Sequence, residues 1–221
     1  MTDLILALDQ GTTSSRSILF TEKAEIRAIA SEPLECRYPD SGWVEQDAEA
    51  IWETQRSTIV KVLDQAGIGL SEVSAIGITN QRESTIAWNR ETGEALCPTI
   101  NWQCRRTAGF CDELKEEGFD ELIRNRTGLV TDPYFSGTKM HWILQNVPEA
   151  ANLARQGKLC FGTVDSWLIW KLSGGTTHAI EISNASRTLV FDIQKCEWDS
   201  EILARFGIPL ESLPEVVPSS G

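Results

Sequence analysis

Two short apolar runs, Leu4 to Leu8 and Ile18 to Phe20, flank the polar stretch Asp9-Gln10-Gly11-Thr12-Thr13-Ser14-Ser15-Arg16, and no other feature constrains the fold as much. The runs are short and β-compatible, so residues 4–9 and 15–21 are predicted to be buried strands joined by a turn. Gly11 permits a tight backbone reversal, and the hydroxyls of Thr12, Thr13 and Ser14 with the Arg16 guanidinium offer donors suited to phosphate oxygens. Asp9, at the strand end, is placed to bind a magnesium ion directly or through water. Asp, Gly, Thr and Ser are also ordinary turn residues, so composition alone is compatible with a hairpin that binds nothing.

The pattern continues with a strand at about 25–34 and a helix at 48–66. That helix is capped by Asp47, closed by Gly67, and carries Ile51, Trp52, Ile59, Val62 and Leu63 at helical spacing. A buried strand from Val73 to Thr79 completes a β-β-β-α-β unit. Ser84 to Trp88 and Ala95 to Trp102, on either side of the polar turn 89–94, read as a further hairpin. Helices are predicted at 105–117, 119–125, 136–146, 163–172 and 198–206, and strands at 159–161, near 177–183 and at 187–192. Trp167 and Trp170 lie in an apolar run and read as core.

With 221 residues the chain is long enough to bury a full core, and its net charge of −12 argues against nucleic acid and anionic lipid as partners, because the basic residues are scattered and form no stripe. Neither a charged-then-apolar leader nor an apolar run of bilayer length is visible, so a cytoplasmic location and no membrane association are expected. Cys36, Cys97, Cys104, Cys111, Cys160 and Cys196 form no Cys-x-x-Cys pair, and only His141 and His178 are available to join them. A zinc site is therefore not expected, and the thiols read as reduced and without chemistry.

A second cluster, Gly77-Ile78-Thr79-Asn80-Gln81-Arg82-Glu83, sets an Arg and a Glu just beyond a buried strand. Strand ends are where open α/β sheets bind ligands. A guanidinium beside a carboxylate supplies donors and acceptors for a neutral polyol, whose hydroxyls do both, although the same pattern also describes an exposed ion pair in a loop. Trp102, in Ile100-Asn101-Trp102-Gln103, adds an aromatic face at another strand end; alone it is equally a core residue.

Taken together, the segments Leu8 to Arg16, Ser41 to Asp47, Ile76 to Glu83, Trp102 to Thr107, Thr127 to Lys139, Phe161 to Trp170 and Ser183 to Thr188 resemble the FGGY carbohydrate kinases of the actin-like ATPase superfamily, in the form used by glycerol kinases. Each motif is weak alone, but seven in order make a specific match. Tyr134 to Trp142 also resembles a signature of the wider family.

The resemblance implies an α/β fold, a ribonuclease-H-like (actin-like ATPase) domain with a mixed central sheet flanked by helices, occupying 1–221. It further implies transfer of the γ-phosphoryl group of ATP to glycerol, giving sn-glycerol 3-phosphate, with ATP and Mg2+ as cofactors. By similarity Arg82, Glu83, Trp102 and Tyr134 bind glycerol; Thr12, Thr13, Ser14 and Arg16 face the nucleotide phosphates; Asp9 organises magnesium. Asn184 and Arg187 are expected to tie a loop under the site as structural residues, and Glu181-Ile182-Ser183 departs from the Asp, aromatic and Thr carried by many relatives there. Family members are longer and close a second, ATP-binding domain over the nucleotide. The general base, an Asp, is expected beyond residue 221, ATP and ADP are expected to be shared with that domain, and the fragment is expected to be inactive alone. The longer protein is expected to be a homo-oligomer. Two alternatives remain at this stage: an FGGY kinase for another polyol or sugar, and a non-catalytic actin-like binding module.

Overall fold

The computed structural model describes residues 4–220; residues 1–3 and 221, the outermost positions of the expected domain, lie outside the described residues. The chain divides into two compact units, one formed by residues 1–36 and 46–81, the other by 37–45 and 82–221.

The first unit contains β1 (Leu4–Gln10), β2 (Ser14–Thr21), β3 (Ile26–Pro33), α1 (Ala48–Ala66) and β5 (Val73–Asn80); the two-residue β4 (Glu45–Gln46) lies where the chain re-enters it. Its sheet has the order β3-β2-β1-β5, antiparallel across the first three strands and parallel between β1 and β5. Leu4, Leu6 and Leu8 alternate onto one face and pack with Leu19, Ala28 and Ala30 against Ile59 and Val62 of α1. Each such leucine stabilises the unit by about 2 kcal/mol through burial. The helix begins where Asp47 accepts from the backbone N–H groups of Glu49 and Ala50, and ends where Gly67 takes a left-handed conformation at φ 67°. The β-β-β-α-β order therefore holds to within a residue or so at each boundary, but the expected burial of its last strand is corrected: β5 is an edge strand of this sheet, and its Ser74 to Gly77 are exposed.

The second unit has β6 (Ile86–Asn89), β7 (Thr99–Ile100), α2 (Ala108–Glu116), α3 (Phe119–Thr127), α4 (Ser136–Asn146), α5 (Pro148–Arg155), β8 (Leu159–Gly162), α6 (Val164–Leu172), β9 (Ala179–Glu181), α7 (Ile182–Ala185), β10 (Phe191–Asp192), β11 (Glu197–Trp198), α8 (Ser200–Phe206) and β12 (Glu215–Val217). The predicted 84–102 hairpin is present: Thr85 and Ile100 exchange backbone hydrogen bonds at 3.0 Å, and the Leu96 N–H donates to the Ala87 carbonyl at 2.9 Å. What the sequence did not suggest is that β6 also pairs antiparallel with β8. The predicted strand at 187–192 shrinks to Phe191–Asp192, because Ser186 to Val190 turn, with Leu189 at φ 69°. The core of this unit centres on Trp88 and Trp167, both fully buried with ring centroids 5.3 Å apart in an edge-on arrangement.

Helix α4 buries Ser136, Gly137, Thr138, Lys139 and Met140 in succession, so its first turn has no solvent face. Close approach explains the small residues. A Cβ on Gly137 would lie 2.7 Å from the Thr188 carbonyl and 2.8 Å from Val190, and the Gly137 N–H donates to that carbonyl at 2.6 Å.

Candidate functional site

Two clusters, one in each unit, contain the residues singled out from the sequence. In the first unit Asp9 ends β1 and stands opposite Arg16 of β2 in the antiparallel register. Their side chains form an ion pair at 3.4 Å and are 41% and 43% exposed. The Gly11 N–H closes the turn on the Ser14 carbonyl at 2.9 Å, leaving Thr13 exposed and Thr12 and Ser14 half-buried.

The turn is held from beneath by three glutamines that the sequence did not mark. The two protons of the Gln81 amide are shared among three acceptors, the Gln10 side-chain oxygen at 3.0 Å, the Gly11 carbonyl at 3.1 Å and the Gln46 side-chain oxygen at 3.0 Å; the Gln46 amide in turn donates to the Thr12 carbonyl at 2.8 Å. All three are buried. A satisfied amide network of this kind rigidifies the loop backbone it holds, because each buried donor is costly to leave unpaired. The signal available in the sequence was weak: three polar residues at strand ends with no shared spacing.

Among the described residues, no group of three or more His, Cys, Asp or Glu is arranged to hold a metal. Asp9 is thus a single carboxylate at an open hairpin. That donor set fits a magnesium ion completed by phosphate and water oxygens, and does not fit an all-protein cage.

In the second unit, Arg82 and Glu83 form the turn ahead of β6. Arg82 is exposed, whereas Glu83 is buried. The cation paired with Glu83 is Arg187, 104 residues away, whose Nε donates to Glu83 Oε1 at 2.8 Å. Arg187 also lies over the rings of Phe135 and Tyr134, at 5.0 and 5.9 Å. It touches the cluster directly and is more than a distant loop tie.

Trp102, in the turn following β7, and Tyr134, just ahead of α4, approach with ring centroids 5.4 Å apart and together make an aromatic wall. The Trp102 N–H donates to Ser84 Oγ at 3.1 Å, which joins that wall to the residue after Glu83. The Tyr134 N–H donates to Asp132 Oδ1 at 2.8 Å, so the Asp132-Pro133 break is an Asx-type turn that presents Tyr134 before the helix starts. Glu83, Trp102 and Tyr134, three of the four residues expected to bind substrate, are thereby linked in one network, and Arg82 shares the turn of Glu83. A buried carboxylate beside two ring faces and a guanidinium is suited to a small, neutral, hydroxyl-rich molecule with a short carbon backbone.

Buried titratable groups elsewhere in this unit serve the core. Burial pushes the Asp165 carboxyl up to about 6, although the Thr163 hydroxyl donates to it. Burial likewise lowers His178, whose Nε2 sits 2.8 Å from the Phe161 carbonyl, to about 4. All six cysteines are free. Among the described residues no helix is long and apolar enough to cross a membrane.

Residues 4–221 match the FGGY family of carbohydrate kinases, N-terminal domain. The glycerol kinase of Carboxydothermus hydrogenoformans is 53% identical over 216 residues, which are 98% of this chain and 43% of that protein. The structure of Plasmodium falciparum glycerol kinase with ADP superposes with a TM-score of 0.91 at 31% identity, covering 97% of this chain and 43% of that one. Gluconate kinase from Lactobacillus acidophilus shares the fold, with a TM-score of 0.86 at 22% identity over 98% of this chain and 42% of that one. This chain thus spans less than half the length of these relatives. Over the whole length matched, its mixed-sheet α/β fold is that of these kinases, and the chain belongs to the FGGY family of carbohydrate kinases.

Proposed function

We propose that the longer protein to which this chain corresponds is a glycerol kinase, transferring the γ-phosphoryl group of ATP to a terminal hydroxyl of glycerol. The observation that carries this reading is the buried Glu83 carboxylate, fixed by Arg187 at 2.8 Å beside the Trp102–Tyr134 wall. One carboxylate oxygen is committed to Arg187, and the other accepts from a glycerol hydroxyl. Arg82 supplies donors to the hydroxyl oxygens, the Tyr134 phenol adds a further contact, and Trp102 covers the carbon chain. The names and identities of the matched glycerol kinases support the choice of glycerol over a longer sugar.

At the other cluster, Thr12, Thr13, Ser14 and Arg16 bind the nucleotide phosphates, and Asp9 holds a magnesium ion. That ion, when bound, neutralises charge on the phosphoryl oxygens. Phosphoryl transfer depends on positioning and on charge neutralisation more than on covalent chemistry, and both clusters are built for that. Neither contains a carboxylate assigned as general base, so deprotonation of the attacking hydroxyl belongs to an Asp in the remainder of the protein, and this chain alone is inactive. The six free thiols support a reducing, cytoplasmic location.

Competition calorimetry on the longest product of the gene tests the substrate. Glycerol should bind, and xylulose and gluconate should fail to displace it, because a site built around buried polar groups rejects ligands that leave them unpaired. Preferential binding of xylulose or gluconate would replace glycerol with a larger substrate in the same family.

A further inference from the structure

We propose that Lys139 is a positioning residue of the polyol site, its ammonium clamping the turn that carries Arg82 and Glu83 to the turn that carries Tyr134. The proposal rests on the reading of that cluster as the polyol site.

Lys139 lies in the first turn of α4 and is completely buried, at 0% exposure. Its Nζ donates to three backbone carbonyls: Glu83 at 3.2 Å, Tyr134 at 2.5 Å and Phe135 at 3.0 Å. An ammonium has three donors and no acceptor, so three carbonyl oxygens match its capacity. The acceptors come from two segments about fifty residues apart in sequence, one carrying Arg82 and Glu83 and the other Tyr134, all assigned to glycerol. Two hydroxyls also link the segments, Ser136 Oγ donating to the Glu83 carbonyl at 3.2 Å and Thr85 Oγ1 to the Ser136 carbonyl at 3.5 Å, but each makes one bond, whereas the ammonium holds the Glu83 and Tyr134 carbonyls at once.

Shape does not explain a lysine here. Methionine would fill a similar volume at the start of a helix, without the large desolvation cost of a buried ammonium. That cost is visible in the amine itself, which burial drives down to about 7; the titratable groups around it are Glu83, Asp132 and the thiols of Cys104 and Cys111. What the ammonium provides and methionine does not is a direct tie between the Glu83 and Tyr134 carbonyls, stronger than the single hydroxyl bonds beside it. A polyol held by Glu83 on one side and the Tyr134 phenol on the other senses that distance directly, since small misplacements at a reacting centre are costly.

The test is Lys139→Met in the longest product of the gene, with steady-state kinetics and far-UV circular dichroism. The KM for glycerol should rise about tenfold or more, the scale expected from losing a charge-assisted hydrogen-bond network. The KM for ATP and the dichroism should hold, and Lys139→Ala should regain glycerol affinity when methylamine is added. A folded Lys139→Met protein whose KM for glycerol stays within about twofold of wild type, against the tenfold set by such a network, overturns the proposal. If the variant does not fold, hydrogen exchange on the wild type decides. Glycerol should protect residues 83–85 and 134–137 with one midpoint, and protection of only one segment overturns the clamp. Wild-type protein that neither turns over nor binds glycerol removes the functional reading and the proposal together, whereas an active wild type with an unchanged variant removes the proposal alone.

Discussion

Replacing Arg187 by Met strands the Glu83 carboxylate. The Glu83 side chain is 5% exposed and that of Arg187 27%, so the carboxylate loses its cation in a site that water barely reaches. Removing one partner of a buried ion pair costs about 3–5 kcal/mol, and the partial exposure of Arg187 places this pair near the lower figure, about 3 kcal/mol. The guanidinium also lies 5.0 Å from the Phe135 ring, a contact worth about 0.5–1 kcal/mol. The sum is about 3–4 kcal/mol, which for a chain of this size lowers the melting temperature by roughly 6–16 °C. Urea unfolding followed by circular dichroism measures it directly. The double variant Arg187→Met/Glu83→Gln should recover about 2 kcal/mol of the loss, because the amide needs no cation, while glycerol binding by calorimetry stays weak. A loss below about 0.5 kcal/mol for Arg187→Met, or a double variant no more stable than the single one, refutes the reasoning.

Further outcomes follow from other sites. Gly137→Ala should destabilise by about 3 kcal/mol or prevent folding, because its Cβ meets backbone at the Thr188 carbonyl, 2.7 Å away; thermal melts check this. The folded chain binds a proton on His178 only near pH 4, whereas an unfolded histidine binds one near 6.5. Its contribution is therefore complete above about 6.5 and is lost as pH falls toward 4, by about 3 kcal/mol, and His178→Gln should flatten unfolding curves over that range. Asp165 has the opposite sign: its carboxyl is raised to about 6, so the contribution present at low pH is lost as pH rises from about 4 to 6, and Asp165→Asn should remove that slope. Trp102→Ala should weaken glycerol binding by about tenfold, through loss of the wall shared with Tyr134, with little change in melting temperature because Trp102 is half-buried.

Local features were legible in the sequence and distant ones were not. The β1–β2 hairpin and α1 announce themselves because alternation, the Asp47 cap and the Gly67 stop act within a few residues. The hairpin across residues 89–94 was legible for the same reason, whereas the second partner of β6 lies about seventy residues on, at Leu159–Gly162, beyond the reach of local patterning. The turn at Ser186–Val190 depends on Leu189 adopting a positive φ, which a β-compatible leucine gives no reason to expect. Helix α5 was missed even though Pro148 stands at its first turn, a start signal the sequence does carry.

At the sites, Arg82, Glu83, Trp102 and Tyr134 could be marked by residue type and resemblance. The residues that hold them are far away in sequence: Arg187 reaches Glu83 across 104 positions, and Gln10, Gln46 and Gln81 converge from three elements. Lys139 reads as an ordinary helix residue until its burial is seen.

The central claim is glycerol phosphorylation, and coupled ATP-to-ADP turnover with glycerol, run in parallel on this chain and on the longest product of the same gene, tests it most directly. Turnover by the longer protein and none by this chain is the expected result, because the general base is proposed to lie in the rest of the protein. Near-equal rates in the two would contradict the assignment of the base to the rest of the protein, and no turnover in either would contradict the kinase reading itself.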